Sequence, residues 1–216
     1  MDKIKLVDDC NVPQYNCSSC YKCTSIVGTS MTFVKNRGCC WYFPKFNIHD
    51  IHRMVKSKEG LEVLERILKL PNVKLYNYYI HAKGDFDEEG YKKFLESDES
   101  KEEKYEEHDE TMFFRTCPFV IGGEGCTIPA RYRNYVCNFF ICPEITEKLE
   151  KKPEFSKYQE EMKSYVHWVE WENESIRIIL EEEGINLINN FDRVIEKLKE
   201  LPLEEFEFRK LDEIEY

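Results

Sequence analysis

Nine of the chain's ten cysteines fall in two groups, and their spacing suits metal coordination. Cys17, Cys20 and Cys23 stand two residues apart and are followed by the adjacent pair Cys39 and Cys40. Cys117, Cys126, Cys137 and Cys142 form the second group, beyond a long stretch with no cysteine; Cys10 stands outside both. Two-residue gaps let thiolates from one turn converge on a single centre. Thiolates hold zinc, iron–sulfur clusters and copper(I) well, and oxygen-seeking ions such as magnesium poorly. Four of them fill a structural zinc site or hold one cubane cluster. The nine clustered thiols therefore allow two centres with one ligand left over, or one larger centre.

The run from Cys17 to Cys23 has the triple spacing of bacterial ferredoxins, without the closely following Cys-Pro. Adjacent side chains in an extended chain point to opposite faces. Cys39 and Cys40 are thus expected to serve different centres, or one of them to be structural. The histidines add little. His49 and His52, three apart on an expected helix, read as a solvated pair; His81, His108 and His167 are isolated. An all-cysteine donor set leans toward iron–sulfur, with a 4Fe-4S cluster favoured and Zn2+ the alternative. Arg133, close to Cys137, is the arginine expected to offset thiolate charge, whereas Arg131 reads as a surface ion-pairing residue.

The elements that must position these thiols are irregular where the thiols lie. Residues 10–45, with Pro13, Gly28, Gly38 and Pro44, read as irregular chain, and the second group opens in a glycine-rich stretch at Gly122, Gly123 and Gly125. That stretch lacks the lysine of a phosphate-binding loop. Asn47 with Asp50 predicts a helix start, with Ile48, Ile51, Met54 and Val55 on one face. A short helix is expected over 61–70, ending before Pro71, and a strand over 73–80. A further helix is expected over 88–95, before an acidic run, 96–110, read as a solvated face. Beyond Cys142 the pattern becomes helical over 155–183. Tyr158, Met162, Tyr165, Val169, Ile176 and Ile179 form its stripe, with a gap at Glu172 and Gly184 as C-cap. Trp168 and Trp171 flank the stripe and read as packing residues. Asn190 opens a last helix that Pro202 ends, and 203–211 alternates like a terminal strand.

The chain has 216 residues, enough for one domain with an appendage and a real core. Its net charge of −11 makes nucleic acid a poor partner, because such binding begins by neutralising phosphates. No stretch approaches the length of a membrane span, and the first ten residues hold no apolar signal segment. The expected compartment is the reducing cytoplasm, where clustered cysteines bind metal rather than form disulfides.

Together these motifs resemble the CxxCxxCC or YkgJ-like family, zinc- or iron-chelating cysteine-cluster proteins. The family's double cysteine, apolar segment and Asp-Ile-x-Arg helix are matched by Cys39-Cys40, Trp41-Tyr42-Phe43 and Asp50-Ile51-His52-Arg53. Its second half is matched by Cys117-Pro118-Phe119, Cys126-Thr127-Ile128 and Arg133-Asn134-Tyr135-Val136-Cys137, with Asn134 where proline is usual. The spacing between Cys23 and Cys39 is longer than the family's. The resemblance spans 17–142 and implies a metal site without a generally established reaction. A remote relation to flagellin lysine methylases supplies an enzymatic precedent.

These readings give a small, mainly α fold of the α+β class, with irregular cysteine-rich loops and a few short strands. Residues 1–145 are expected to form the metal-binding domain and 146–216 a helical extension packed on it. The expected metal ligands are Cys17, Cys20, Cys23, Cys39, Cys40, Cys117, Cys126, Cys137 and Cys142, with Arg133 beside the cofactor. The expected roles are electron transfer, redox sensing or metal handling. A cluster-dependent enzyme such as a protein lysine methyltransferase, or a zinc-stabilised module binding a protein partner, are the alternatives.

Overall fold

A computed structural model describes residues 2–18, 20, 25–102, 105 and 108–216. Cys23 and part of the acidic run lie outside the described residues. Among the described residues the chain forms seven α-helices and ten short strands in small antiparallel sheets, an α+β arrangement.

The first hairpin pairs β1 (Lys3–Asp9) with β2 (Val12–Cys17). Cys10 and Asn11 turn it with φ of 52° and 60°, the left-handed pair that matches strand twist in a two-residue turn. Residues 12–17 are therefore a strand and not the irregular chain expected. Pro13 is tolerated there because β2 lies at the sheet edge, where no ladder donor is required. The other neighbour of β1 is the C-terminal strand β10 (Ile214–Glu215), so both ends of the chain share one sheet.

A second sheet has the order β3 (Lys45–Asn47), β5 (Tyr79–Ala82), β4 (Val73–Tyr76). The single strand expected over 73–80 is in fact a hairpin turned at Asn77 and Tyr78. Its inner face buries Phe46, Ile80 and Ala82, and its outer face carries Lys45, Lys74, Tyr79 and His81. Two further ribbons pair β6 (Asp85–Phe86) with β7 (Arg115–Thr116), and β8 (Val120–Ile121) with β9 (Gly125–Cys126).

The helices are α1 (Ile48–Val55), α2 (Lys58–Leu68), α3 (Glu88–Leu95), α4 (Tyr135–Asn138), α5 (Pro143–Leu149), α6 (Phe155–Glu182) and α7 (Phe191–Glu200). Helix α1 starts as its sequence predicts: the Asn47 N–H donates to the Asp50 carboxylate at 2.9 Å. Its apolar face is fully buried, but so are His49 and His52, correcting the solvated pair. The helix is central, packed by α2, α6 and α7, so its polar-looking side is also interior. His49 meets Trp168 edge-on at 5.3 Å, and an imidazole nitrogen of His52 lies 3.2 Å from the Leu201 carbonyl.

Helix α6 buries Tyr158, Tyr165, Val169 and Ile176 as expected, while Met162 and Ile179 are only half-buried and Leu180 is buried instead; Glu172 fills the apparent gap as a buried side chain. Gly184 ends the helix region at φ 66°. Trp168 packs against Tyr165 and Phe206, but Trp171 is 64% exposed, against the expectation for it. Residues 203–211 form no ladder. Their alternation instead places Phe206 and Phe208 on Tyr165, while the Arg209 N–H donates to Glu161. The strand forms three residues later, at β10.

One core joins α1 and α2 to Ile176, Leu180, Val194 and Leu198. Another joins Ile4 and Tyr15 to Leu149, Tyr158, Val169 and Ile214. Within the acidic run, Tyr105 is buried against Phe94 and Phe113. No helix among the described residues is long and apolar enough to cross a membrane.

Candidate metal centre

The two cysteine-rich segments meet at Cys40, whose carbonyl accepts a hydrogen bond from the Cys117 N–H at 2.9 Å. Residues 37–41 are a turn, in which Cys40 N–H reaches Arg37 O and Trp41 N–H reaches Cys39 O. The alternation of extended chain does not apply in such a turn. The Cys39 thiol acts on those of Cys40 and Cys20.

The glycine-rich stretch sets the second segment beside the first. The β8–β9 hairpin docks on residues 35–36: the Gly123 N–H donates to Asn36 O at 3.0 Å, and a Cβ on Gly122 would collide with Lys35 O. Cys126 ends this hairpin opposite Val120. Cys137 sits in the one-turn helix α4, capped by the Asn134 side chain, which accepts from Val136 N–H at 2.8 Å. Asn134 also donates to Lys45 O and to the Asp50 carboxylate, at 2.9 and 3.1 Å. The asparagine in place of proline thus ties the α4 cap to α1.

Cys40, Cys117, Cys126 and Cys137 act on one another electrostatically, and Arg133 acts on all four. Burial pushes the Cys117 thiol up to about 12 and pushes Cys137 and Cys126 upward, while Arg133 favours their thiolates. Cys40 moves the other way, chiefly through the hydrogen bond from Cys39 and with help from Arg133 and Arg37. Cys39, the proton-holding partner, is raised.

Arg133 is fixed by its own Nε, which donates to Ile128 O at 2.7 Å, and by Arg53, which donates to Arg133 O at 3.1 Å. Arg53 in turn pairs with Asp50 at 2.6 Å. The Asp50-Ile51-His52-Arg53 segment therefore positions Arg133 from beneath. Arg37, missed by sequence reasoning, is 2% exposed and donates to Thr29 O and Met112 O, both at 2.8 Å. Its place directly before Gly38-Cys39-Cys40 was the available signal.

The remaining thiols divide. Cys17, at the end of β2, lies 2.9 Å from the Tyr216 hydroxyl, and Cys142, the N-cap of α5, acts on the same phenol. Burial, then Cys17, raises that phenol's pKa. The last residue of the chain is thus carried to the first cysteine group by the pairing of β10 with β1, a contact sequence reasoning could not see. Cys10 is exposed at its turn, 3.7 Å from Arg131, which pairs with Asp9 and Glu59. Arg131 is the surface ion-pairing residue expected.

Histidine does not enter the gathering of thiols, since His49 and His52 are buried against Trp168 and Leu201. As they stand, no three His, Cys, Asp or Glu side chains among the described residues close on one point tightly enough to hold an ion. The fit to a thiolate-ligated group therefore rests on donor chemistry: thiols close enough to act on one another, the buried Arg37, and the half-buried Arg133. The arginines suit the net dianion that a tetrathiolate zinc or an oxidised cubane makes.

The chain matches no family model, no curated protein and no solved structure.

Proposed function

We propose that this chain is a YkgJ-like metal-binding protein with one or two thiolate-ligated centres. An iron–sulfur cluster is the favoured occupant, serving electron transfer, redox sensing or metal handling. The observation that carries the reading is the Cys117 N–H bond to the Cys40 carbonyl at 2.9 Å, which brings together segments far apart in sequence, with Cys40, Cys117, Cys126 and Cys137 near enough to Arg133 to feel its charge. Thiols that only filled space would not need two arginines beside them, one buried and one held by Arg53.

These four cysteines would ligate the principal centre. Cys17, Cys20, Cys39 and Cys142 remain for a second, with Cys23 outside the described residues. When bound, an iron–sulfur cluster supplies one-electron chemistry. The chain's part is to set the local field. Arg133 and Arg37 stabilise negative charge on sulfur, Cys39 donates to Cys40, and buried Phe119 and Tyr132 help keep water away.

The test is metal and acid-labile sulfide per chain in cysteine variants. Cys117→Ser and Cys137→Ser should each lose most of the metal, and Cys10→Ser should retain it. Equal retention in all three would defeat the proposal, and loss in Cys10→Ser would misplace the ligand set.

A further inference from the structure

In a protein of net charge −11, one cleft has a lining with the opposite sign. It has a volume of about 640 Å³, within the roughly 300–1,000 Å³ of small-molecule sites. Its floor is the outer face of the β3-β5-β4 sheet. There His81 stands directly opposite Lys45 on one neighbour and Lys74 on the other. Lys83 and Arg115 complete a lining that includes no carboxylate.

Basic side chains set directly across a sheet repel one another, so this row costs the fold stability. The repulsion is felt at His81, whose imidazole is pushed down by burial and then by Lys83, Lys45 and Lys74. Lys45, Lys74 and Lys83 have no ion-pair partner among the described residues, and Lys45 instead lies over the Tyr79 ring at 5.9 Å. Arg115 is 3.6 Å from Asp109, outside the cleft. Four cations and a histidine thus line the cleft, and of the four cations Arg115 is the one with an ion-pair partner among the described residues.

The walls are aromatic. Trp41, Tyr42, Phe43 and Phe86, the last 42% exposed, all line it. Flat rings beside unpaired ammonium groups recognise two things at once: a planar ring by stacking and an anion by charge. Lysine binds phosphate as a point charge, with no fixed fork geometry, which suits a row of exposed lysines on a sheet.

We propose that this cleft binds a phosphorylated ligand with a planar ring, of the nucleotide class. The ring lies against the Trp41 and Phe86 walls and the phosphates lie over Lys45, Lys74 and Lys83. No cysteine lines the cleft, although Trp41, which does, follows Cys40 directly in the sequence.

The test is calorimetric titration of the full-length purified protein with ATP, adenosine and inorganic tripolyphosphate. ATP should bind saturably with one site per chain, and at least about tenfold more tightly than adenosine. Affinity should fall about tenfold or more in the double variant Lys74→Glu/Lys83→Glu, and fall with added salt, since exposed charges are screened. Circular dichroism checks that the double variant is folded; if it is not, Lys74→Gln/Lys83→Gln serves, with a smaller loss expected. No saturable binding of ATP would overturn the proposal. So would unchanged affinity in a folded variant, tripolyphosphate binding as tightly as ATP, or an acidic polyglutamate peptide binding more tightly than ATP. Metal content measured on the same samples keeps this result apart from the metal assignment.

Discussion

Replacing His49 with phenylalanine should stabilise the protein, and more so in acid. His49 is completely buried, both of its ring nitrogens are without a hydrogen-bond partner among the described residues, and its ring meets Trp168 edge-on. A phenyl ring of similar size keeps that contact and removes the orphaned polar atoms. Leaving a buried polar group unsatisfied costs about 1–3 kcal/mol, so a gain near the lower end of that range is expected at neutral pH. Burial, then Arg53 and His52, hold the His49 imidazole well below its ordinary value of 6.5. The unfolded chain therefore takes up a proton near pH 6.5 that the folded chain refuses. Stability conferred by the neutral ring is complete above that pH and falls by up to about 1.4 kcal/mol per unit below it. Between pH 7 and pH 5 the variant should thus pull ahead of the parent by a further ~2 kcal/mol. His52, pushed down to about 4 chiefly by burial, steepens the loss in both proteins over the window from 6.5 to about 4. Urea unfolding at the two pH values reads both quantities. A variant less stable than the parent at pH 7, or a gap that does not widen in acid, would refute the argument.

Four other substitutions probe the frame around the thiols. Asp50→Ala should cost about 3–5 kcal/mol in urea unfolding, because it strands Arg53 in a buried site and frees Asn134 from α1. Gly60→Ala should destabilise by about 1–3 kcal/mol despite alanine's better helix propensity, since its Cβ would run into the Met54 backbone, which cannot rotate away. Arg133→Ala should lower metal content per chain, whereas Arg131→Ala, whose partners are Asp9 and Glu59 at the surface, should leave it unchanged.

Local signals in the sequence were strong where one element decides its own structure. The Asn47–Asp50 start of α1, the long α6 stripe and its end at Gly184 follow from spacing and backbone preference alone. The β1–β2 hairpin was hidden because Pro13 argues against a strand until its edge position is known. The alternation at Phe206 and Phe208 points to a strand, but α6 offers those rings an aromatic surface, and burial needs no ladder. His49 and His52 read as solvated because nothing in α1 shows that α6 and α7 cover its second side. The metal site proposed for the cysteines rests on their type and spacing. Their division, with Cys40 joining the second group and Tyr216 reaching Cys17, depends on contacts between residues up to 199 apart. Periodicity and spacing carry no information at that range.

The central claim is that gathered thiolates hold a metal centre, with iron–sulfur favoured. The visible spectrum, iron, zinc and acid-labile sulfide content of protein purified without oxygen, after expression with ample iron, tests it most directly. The account predicts a brown protein with broad visible absorbance that bleaches on reduction, and iron and sulfide in matching amounts. A colourless protein with stoichiometric zinc and no sulfide would contradict the iron–sulfur assignment, and one with neither metal would contradict the metal site itself.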